Sequence, residues 1–261
     1  MFVGAATPLT QTGLTALAGD LDIPLPALWA VLAVETSGCG FLPDRRPLIL
    51  FERHWFSKLT KRRFDTSNPD ISNAVPGGYG PRGVSQFDRL ARAVALDRTA
   101  ALRSTSWGLG QVMGFNSSDV GFPMVDALVQ ACVQSEDGQM QAMGGFITSH
   151  GLADRLRKKD WAGFAFRYNG TDFQKNRYDT KLATYNARFE VGPLPDLTVR
   201  WVQMVLSFLG YSTGGVDGWF GGQTQRALMA YQKANTLAIT GKPDDATAAA
   251  LQAALRALPA G

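Results

Sequence analysis

The sequence predicts a mainly α-helical protein of the α+β class, in which a large N-terminal domain is followed by a small three-helix domain. Apolar residues recur at helical spacing through most of the chain, whereas only one or two short segments read as strands. The run Val-Gly-Pro-Leu-Pro at positions 191–195 interrupts this pattern, because a glycine and two prolines end a helix and stiffen a connector. We therefore divide the chain into residues 1–192 and 193–261.

The clearest helix of the first domain is predicted from Pro24 to Glu35, with prolines in its first turn. Leu28, Val31, Leu32 and Glu35 follow at helical spacing and share one face. The Glu35 carboxyl thus lies at the C-terminal end of the helix, in line with an apolar stripe. Loss of solvent and the negative helix end both disfavour the ionised form, so a raised pKa is expected. Such a group can act as a general acid, although a glutamate that turns into solvent is the ordinary alternative.

A second carboxylate follows the apolar run Pro47–Phe51, which is predicted to be a strand. Glu52 and Arg53 stand at its end. Hydrolysis of a glycosidic bond uses one carboxylic acid to protonate the leaving oxygen, and usually a second carboxylate as nucleophile, base or electrostatic stabiliser. Glu35 and Glu52 are the natural candidates for that pair. For Glu52, an ion pair with Arg53 or Arg46 is the structural alternative.

The rest of the first domain is predicted to be a long loop followed by helices. The segment Asp65–Arg82 is rich in Asn, Pro, Gly and Ser, which favours irregular structure. In the second domain three helices are expected: one over Leu197–Leu209, one after Gly221, and one that Asp244 and Asp245 cap. Helical patterns in the first domain follow the loop at Gln86–Arg103, Met124–Cys132, Gln139–His150, Gly151–Arg157 and Trp161–Arg167.

Composition excludes several classes of protein. With 45% hydrophobic and 18% charged residues, the chain is neither disordered nor fibrous. Its net charge of +4 favours any polyanion and selects none, and no nucleic-acid motif is present, so a nucleic-acid partner is not expected. Cys39 and Cys132 are too few for a disulfide framework; free thiols are the simplest interpretation, and one bridge stays open. His54 and His150 share no ligand spacing with the cysteines, so neither a metal nor another cofactor is expected.

The N-terminal segment Met1–Thr10 has neither the basic stretch nor the apolar core of a signal peptide. No segment approaches the run of about 18 apolar residues that spans a membrane. We expect synthesis in the cytoplasm without a signal peptide, so an extracytoplasmic target would require a separate export route.

Five segments resemble, in order, those of the N-acetylmuramidase family of phage endolysins, within the lysozyme-like superfamily. The resemblance covers roughly residues 10–190 and implies a lysozyme-like catalytic domain. It further implies hydrolysis of the β-1,4 bond between N-acetylmuramic acid and N-acetylglucosamine in bacterial peptidoglycan, with Glu35 as the acid and Glu52 as the second carboxylate. Action on the wall, in the periplasm, would follow release through a membrane lesion made by a partner. The segments are Ala33–Gly38, Pro47–His54, Ser106–Gly114, Asp160–Gly170 and Asn176–Leu182.

Four further side chains in these segments are candidate substrate-binding residues. Gln111 carries both a donor and an acceptor and can bridge a sugar hydroxyl or acetamide. Tyr168 and Asn169 can hydrogen-bond the acid or orient the N-acetyl group, or they can simply form a Tyr-Asn-Gly turn. Ser106 is a candidate for either a sugar contact or the N-cap of a helix that carries Gln111.

The second domain is similar to the peptidoglycan-binding type 1 module of wall hydrolases. The similarity implies wall contact by Asp217, Trp219, Phe220 and Tyr231. We expect Trp219 to be exposed, because Phe220 and Tyr231 fit a helical core better. The implied partners are peptidoglycan and anionic cell-surface polymers, and we expect a monomer. The similarity rests on Asp217-Gly218-Trp219-Phe220-Gly221, followed by Thr224, Ala227-Leu228 and Tyr231-Gln232.

Two other functions stay open. A lytic transglycosylase needs the same acid but closes the muramic 6-hydroxyl onto the sugar instead of adding water. The presence of Glu52 favours hydrolysis, since transglycosylases of this fold commonly work with one carboxylate. A wall-binding or virion structural protein could retain the fold without activity, but the acid and its flanking segments are intact.

Overall fold

The computed structural model describes residues 2–35 and 38–259. Within these residues the chain forms thirteen α-helices and a three-stranded sheet, which confirms the predicted mainly α, α+β fold with a helical C-terminal domain. The strands are β1 (Ile49–Phe51), β2 (Thr105–Trp107) and β3 (Val112–Met113). The helices are α1 (Gln11–Leu21), α2 (Leu25–Glu35), α3 (Arg53–Leu59), α4 (Ser85–Leu96), α5 (Arg98–Arg103), α6 (Val125–Gln134), α7 (Glu136–Ser149), α8 (Ala153–Arg157), α9 (Trp161–Asn169), α10 (Tyr178–Val191), α11 (Leu197–Phe208), α12 (Gly222–Ala234) and α13 (Asp245–Ala257).

Helix α2 runs through the core of the first domain. Six consecutive residues, Ala27 to Leu32, are buried, as expected of a helix that is apolar on all sides. Helix α10 packs along α2 and adds Leu182 and Phe189 to the same core. Glu35, the last residue of α2, therefore leaves the core beside Asn169, the last residue of α9.

Among the described residues, no single helix is long and apolar enough to cross a membrane. Helices α1 and α2 meet the length and composition requirement only as a pair bent by 109°.

Three helices, α1, α3 and α10, are absent from the sequence prediction. Helix α1 contains Gly13 and Gly19, which lower helix propensity, yet the Thr10 hydroxyl caps its first turn by accepting a hydrogen bond from the Gly13 amide at 2.9 Å. Packing of its leucine face against the core outweighs the weak propensity. In α10 the apolar positions lie among many polar ones, so the helical period is weak in the sequence.

The segment that carries Ser106 and Gln111 is a β-hairpin, and the predicted helix with Ser106 as its N-cap is wrong. β1 pairs antiparallel with β2, and β2 with β3, so that Ser106 lies between Leu50 and Met113. Gly108 and Gln111 have φ angles of +68° and +47°. These left-handed conformations close a tight turn and cannot continue a right-handed helix.

The predicted helix Gln86–Arg103 is two helices, because Asp97 is extended, with φ −160° and ψ 102°. The Asp97 carboxylate accepts a hydrogen bond from the Ala100 amide at 3.0 Å and so caps the start of α5. The predicted loop before α4 is confirmed: every residue from 65 to 82 is described, and none belongs to a helix or strand.

The three predicted helices of the second domain are present as α11, α12 and α13. Asp244 caps α13 by accepting a hydrogen bond from the Thr247 amide at 2.9 Å, as the sequence predicts. These helices enclose a small core formed by Val202, Val205, Leu206, Ala227, Leu228, Tyr231 and Leu251.

A buried ion pair joins the two domains. Arg200 of α11 donates to the Glu136 carboxylate of α7 at 2.6 Å, and the two side chains are 5% and 0% exposed. Glu136 also accepts hydrogen bonds from the amides of Leu9, at 2.9 Å, and Gly40, at 2.8 Å. Arg200 also donates to the Gly38 carbonyl. An unpaired buried charge is energetically costly. The packing of each domain therefore depends on the presence of the other.

Trp219 packs at the same junction, so the prediction that it is an exposed contact is wrong. Its ring lies against the core of the first domain, with the Arg188 guanidinium 4.7 Å from the ring centroid. Beside it, Ala6 and Phe41 of the first domain share an apolar cluster with Met204 of the second. A domain interface leaves no periodic signal in the sequence, which is why the position of Trp219 could not be anticipated.

The two cysteines are free thiols. Burial raises the pKa of Cys39 and of Cys132 to about 12, so both thiols stay protonated and unreactive at neutral pH. Within the part of the chain that the structure describes, no three His, Cys, Asp or Glu residues gather as a metal site would require.

Candidate active site

The carboxyl of Glu35 is largely enclosed at the C-terminal end of α2. Its Oε2 accepts a hydrogen bond from Nδ2 of Asn169 at 2.9 Å, while Oε1 is buried without a hydrogen-bond partner among the described residues. Burial raises the pKa of Glu35 to about 7, against the opposing effects of the Asn169 hydrogen bond and the Lys181 charge. The elevated pKa expected from the sequence is confirmed, and loss of solvent is its main cause.

This environment equips Glu35 to donate a proton. A carboxyl with a pKa of about 7 is still protonated in much of its population at neutral pH, whereas an ordinary glutamate is ionised. Because Asn169 donates to Oε2, the proton belongs on Oε1, which has no hydrogen-bond partner in the described part of the chain. The arrangement is that of a general acid.

Tyr168 lies near the acid but hydrogen-bonds elsewhere. Its hydroxyl donates to the Gly110 carbonyl at 2.9 Å, which ties α9 to the hairpin, and its ring stacks on Phe164 with centroids 5.2 Å apart. Burial and the Glu35 carboxyl raise the pKa of Tyr168 well above its ordinary value, so the hydroxyl stays protonated. Asn169 thus contacts the acid as predicted, whereas Tyr168 holds the backbone of the hairpin.

Two side chains of α10 complete the surroundings of the acid and have no role in the sequence analysis. The charge of Lys181 lowers the pKa of Glu35, and burial together with Glu35 raises the pKa of Tyr178. Both belong to the segment Asn176–Leu182. Their spacing of three residues on one helix was the feature of the sequence that could have indicated a shared face. Their position depends on the packing of α10 against α2, which the sequence does not reveal.

Glu52 follows β1 at the N-cap position of α3, where its side chain makes no capping bond. This side chain is 15% exposed; burial raises its pKa, and a hydrogen bond with the Tyr79 side chain lowers it. Nδ1 of His54 stands 3.2 Å from Oε2 of Glu52. Burial and the charges of Arg53 and Lys58 lower the pKa of His54, so the imidazole is neutral at pH 7 and the contact is not a salt bridge.

The structural alternative for Glu52, an ion pair with Arg46 or Arg53, does not occur in the described part of the chain. Arg46 pairs with Asp44 at 2.6 Å, and its guanidinium stands 4.2 Å from the centroid of the Phe87 ring. The Arg53 guanidinium lies against the Gly78 backbone. Glu52 is therefore a partly buried carboxyl that contacts a tyrosine and a neutral histidine.

An aromatic pair joins α3, just beyond Glu52, to the turn that follows β3. The ring centroids of Trp55 and Phe115 are 4.4 Å apart, and Nζ of Lys58 stands 4.5 Å over Trp55. Half-buried aromatic rings of this kind offer an apolar face against which a sugar ring can pack. The sequence analysis missed the pair, because 60 positions separate residues that only the fold brings together.

Ser106 and Gln111 contact each other within the hairpin. The Ser106 hydroxyl donates to Oε1 of Gln111 at 3.0 Å, and Nε2 of Gln111 donates to the Gly108 carbonyl at 2.9 Å. Nε2 also reaches the Leu48 carbonyl at 3.4 Å. The amide thus satisfies the backbone of the turn, and a sugar contact by either residue stays a prediction.

The wall-binding candidates differ in exposure. Tyr231 is 3% exposed and meets Tyr211 edge-on in the small core, so it supports the fold. Asp217 accepts a hydrogen bond from the Trp219 amide at 2.9 Å and shapes the turn. Phe220 is 44% exposed, contrary to its expected place in the core. Of the two aromatic residues in this turn, Phe220 is therefore the more exposed and Trp219 is half-buried, while wall contact by either stays a prediction.

The fold and the site together define a class of enzyme. A carboxyl with a raised pKa closes a core helix, and a second, partly buried carboxyl ends a strand of a small antiparallel sheet. A carboxyl whose pKa lies near 7, together with a second carboxyl, is what a glycoside hydrolase of the lysozyme type requires.

Comparison with known proteins gives the family. Residues 24–190 match the family model described as N-acetylmuramidase, and residues 196–251 match that of a peptidoglycan binding domain. The chain therefore belongs to the N-acetylmuramidase family, with peptidoglycan as its substrate. The crystal structure of Burkholderia AP3 phage endolysin is similar over 70% of this chain and 70% of its own, with 38% identity and a TM-score of 0.66. A search of curated proteins gave no match.

Proposed function

We propose that this protein is an endolysin in which Glu35 protonates the oxygen that bridges N-acetylmuramic acid and N-acetylglucosamine. The observation that carries the proposal is the Glu35 carboxyl itself: Asn169 donates to Oε2, Oε1 is buried with no hydrogen-bond partner among the described residues, and the pKa is about 7. Proton transfer to the leaving oxygen needs an acid that is oriented, keeps one carboxyl oxygen for the substrate and is still protonated at the working pH.

Glu52 is the second carboxylate of the proposed mechanism. As the bridging bond breaks, positive charge develops on the muramic ring, and an ionised carboxylate stabilises that charge or activates a water molecule. The hydrogen bond with Tyr79 favours the ionised form of Glu52. His54 beside it is neutral and therefore does not offset this negative charge.

The two domains have different proposed roles. We assign catalysis to residues 1–192 and wall attachment to residues 193–261, with Phe220 as the exposed aromatic contact. Attachment to an insoluble polymer raises the local concentration of the catalytic domain. A net charge of +4 also favours anionic cell-surface polymers. In this proposal the enzyme is a monomer made in the host cytoplasm that acts on the wall after release.

The products of peptidoglycan digestion test the proposal. Mass spectrometry should find reducing N-acetylmuramic acid ends, since the proposed reaction adds water. Anhydro-muramic ends, lighter by one water, would instead identify a lytic transglycosylase. Intact glycan chains, together with retained binding to walls, would identify a non-catalytic wall-binding protein.

A further inference from the structure

We propose that Gln86 and Tyr79 form a positioning pair that holds the Glu52 carboxyl in place for catalysis. This inference rests on the proposed role of Glu52 as the second carboxylate. Tyr79 belongs to the loop after α3, and Gln86 belongs to the first turn of α4. Neither residue lies in the segments that carry the family resemblance.

Gln86 is fully buried and uses both ends of its amide. Oε1 accepts a hydrogen bond from the amide of Phe51, the residue before Glu52, at 3.1 Å. Nε2 donates to the carbonyls of Tyr79 and Pro81, both at 2.7 Å. A buried amide without hydrogen-bond partners is energetically costly, so these three hydrogen bonds hold the Gln86 side chain in this position. Gln86 thereby fixes the loop to the end of β1.

Tyr79 reaches from that loop to the carboxyl. Its side chain lies beside Glu52, and its hydroxyl favours the ionised carboxylate against the effect of burial. Burial and the charge of Glu52 raise the pKa of Tyr79, which keeps the hydroxyl protonated and able to donate. Tyr79 is also 37% exposed, so the ring borders space that a substrate can enter.

The course of the loop depends on glycine. The glycines at positions 77, 78 and 80 have φ angles of +92°, +65° and +66°, in the left-handed region that other residues rarely adopt. Further along the loop, the charge of Arg82 lowers the pKa of Tyr178, the same tyrosine whose pKa Glu35 raises. The loop thus carries Tyr79 beside Glu52 and places Arg82 where its charge acts on Tyr178.

The groups around Glu52 determine what a test can measure. Tyr79 faces the carboxyl from the loop, His54 and Arg53 belong to α3, and Arg89 of α4 lies within reach of the Arg53 charge. Tyr79 is the donor that lowers the pKa of Glu52. Loss of its hydroxyl should raise that pKa and leave the acid at the end of α2 unaffected.

The test is the pH dependence of kcat, measured with the full chain on purified peptidoglycan for Y79F and Q86L. For Y79F we expect kcat to fall about tenfold, the usual effect of one charge-assisted hydrogen bond. We also expect the acidic limb of the profile to move to higher pH, because Glu52 then ionises less readily. Q86L should move the same limb in the same direction, since the released loop carries the Tyr79 hydroxyl away.

Q232L is the matched control for Q86L. Gln232 is also fully buried and anchors a loop, but in the second domain: Nε2 donates to the Lys242 carbonyl at 3.0 Å, and Oε1 accepts from the Gly241 amide at 2.9 Å. Q232L should lower Tm without moving either limb of the profile. An acidic limb that does not move in Y79F overturns the proposal, whatever the Tm of that variant.

E52Q separates this inference from the proposed function. If E52Q is inactive while Y79F keeps the wild-type acidic limb, the positioning role is wrong and the role of Glu52 stands. If E52Q turns over like the wild type, Glu52 is not the second carboxylate and both statements are wrong. An inactive E52Q together with a displaced limb in Y79F supports both.

Discussion

Asn169 donates a hydrogen bond from Nδ2 to Oε2 of Glu35 at 2.9 Å, and this bond opposes the burial that raises the pKa of the carboxyl to about 7. Two competing effects thus determine where the acid titrates. Burial alone would hold the proton too tightly to release it, and exposure alone would lose it below neutral pH. The value near neutrality is the balance between them.

Removal of the Asn169 amide should raise the pKa of Glu35. In N169A the carboxylate loses its donor, so the pKa of Glu35 rises and the alkaline limb of the pH–rate profile moves to higher pH. N186A is the matched control, because Asn186 of α10 hydrogen-bonds Glu190 and not the acid. A limb that stays in place or moves to lower pH in N169A would contradict this account of the acid.

Glu35→Gln should abolish most activity and stabilise the fold at high pH. Loss of the proton donor should lower kcat by about 10²–10⁴. The folded-state pKa of about 7 exceeds the unfolded value of 4.5, so stability is greatest below pH 4.5 and declines as pH rises to about 7. Ionisation in the folded state then costs about 3 kcal/mol at pH 8, which the neutral amide avoids.

Thermal unfolding at pH 4 and pH 8 checks the second part of this prediction. The Tm of E35Q should exceed that of the wild type at pH 8 and approach it at pH 4. If E35Q and the wild type differed in Tm by the same amount at both pH values, the pKa of Glu35 would be the same in the folded and unfolded states. Wild-type lysis by E35Q would exclude Glu35 as the acid.

The interdomain ion pair should be a major contributor to stability. R200M leaves the Glu136 carboxylate buried without its counter-ion, so the free energy of unfolding should fall by about 3–5 kcal/mol. R92M breaks the exposed pair with Asp70 and should cost less than about 1 kcal/mol. Urea unfolding of both variants measures the difference. If the free energy of unfolding of R200M fell as little as that of R92M, the stability of the two domains would not depend on this ion pair.

Phe220 should contribute to wall binding without supporting the fold. Because its ring is 44% exposed, F220A should leave Tm unchanged. If the ring contacts the wall, the Kd for insoluble peptidoglycan should rise about five- to tenfold, equivalent to about 1 kcal/mol. I239A removes a side chain that is 54% exposed elsewhere in the same domain and serves as the control. Equal pelleting of F220A and wild type with walls would remove Phe220 from the binding surface.

Features encoded over short distances were predictable. The apolar period of α2 leads directly to Glu35 at its end, and the Asp244 cap of α13 follows from one residue and its neighbours. The C-terminal end of β1 at Phe51 and the end of α10 near residue 192 are equally local, whereas β1 begins two residues later than predicted. Helix α1 could not be predicted in this way. Its two glycines lower the local helix propensity, and packing against the core stabilises the helix.

The sequence by itself determined the mainly helical fold class, the place of Glu35 and Glu52 at the end of a helix and of a strand, and the family. The tertiary structure alone decided which side chains meet those carboxyls: Asn169 lies on Glu35 and Tyr79 beside Glu52. It also decided that Trp219 packs half-buried at the domain junction. The physical reason is distance along the chain. Local propensity acts over a few residues, whereas the burial that sets a pKa depends on every element packed around the group, and no spacing in the sequence records that packing.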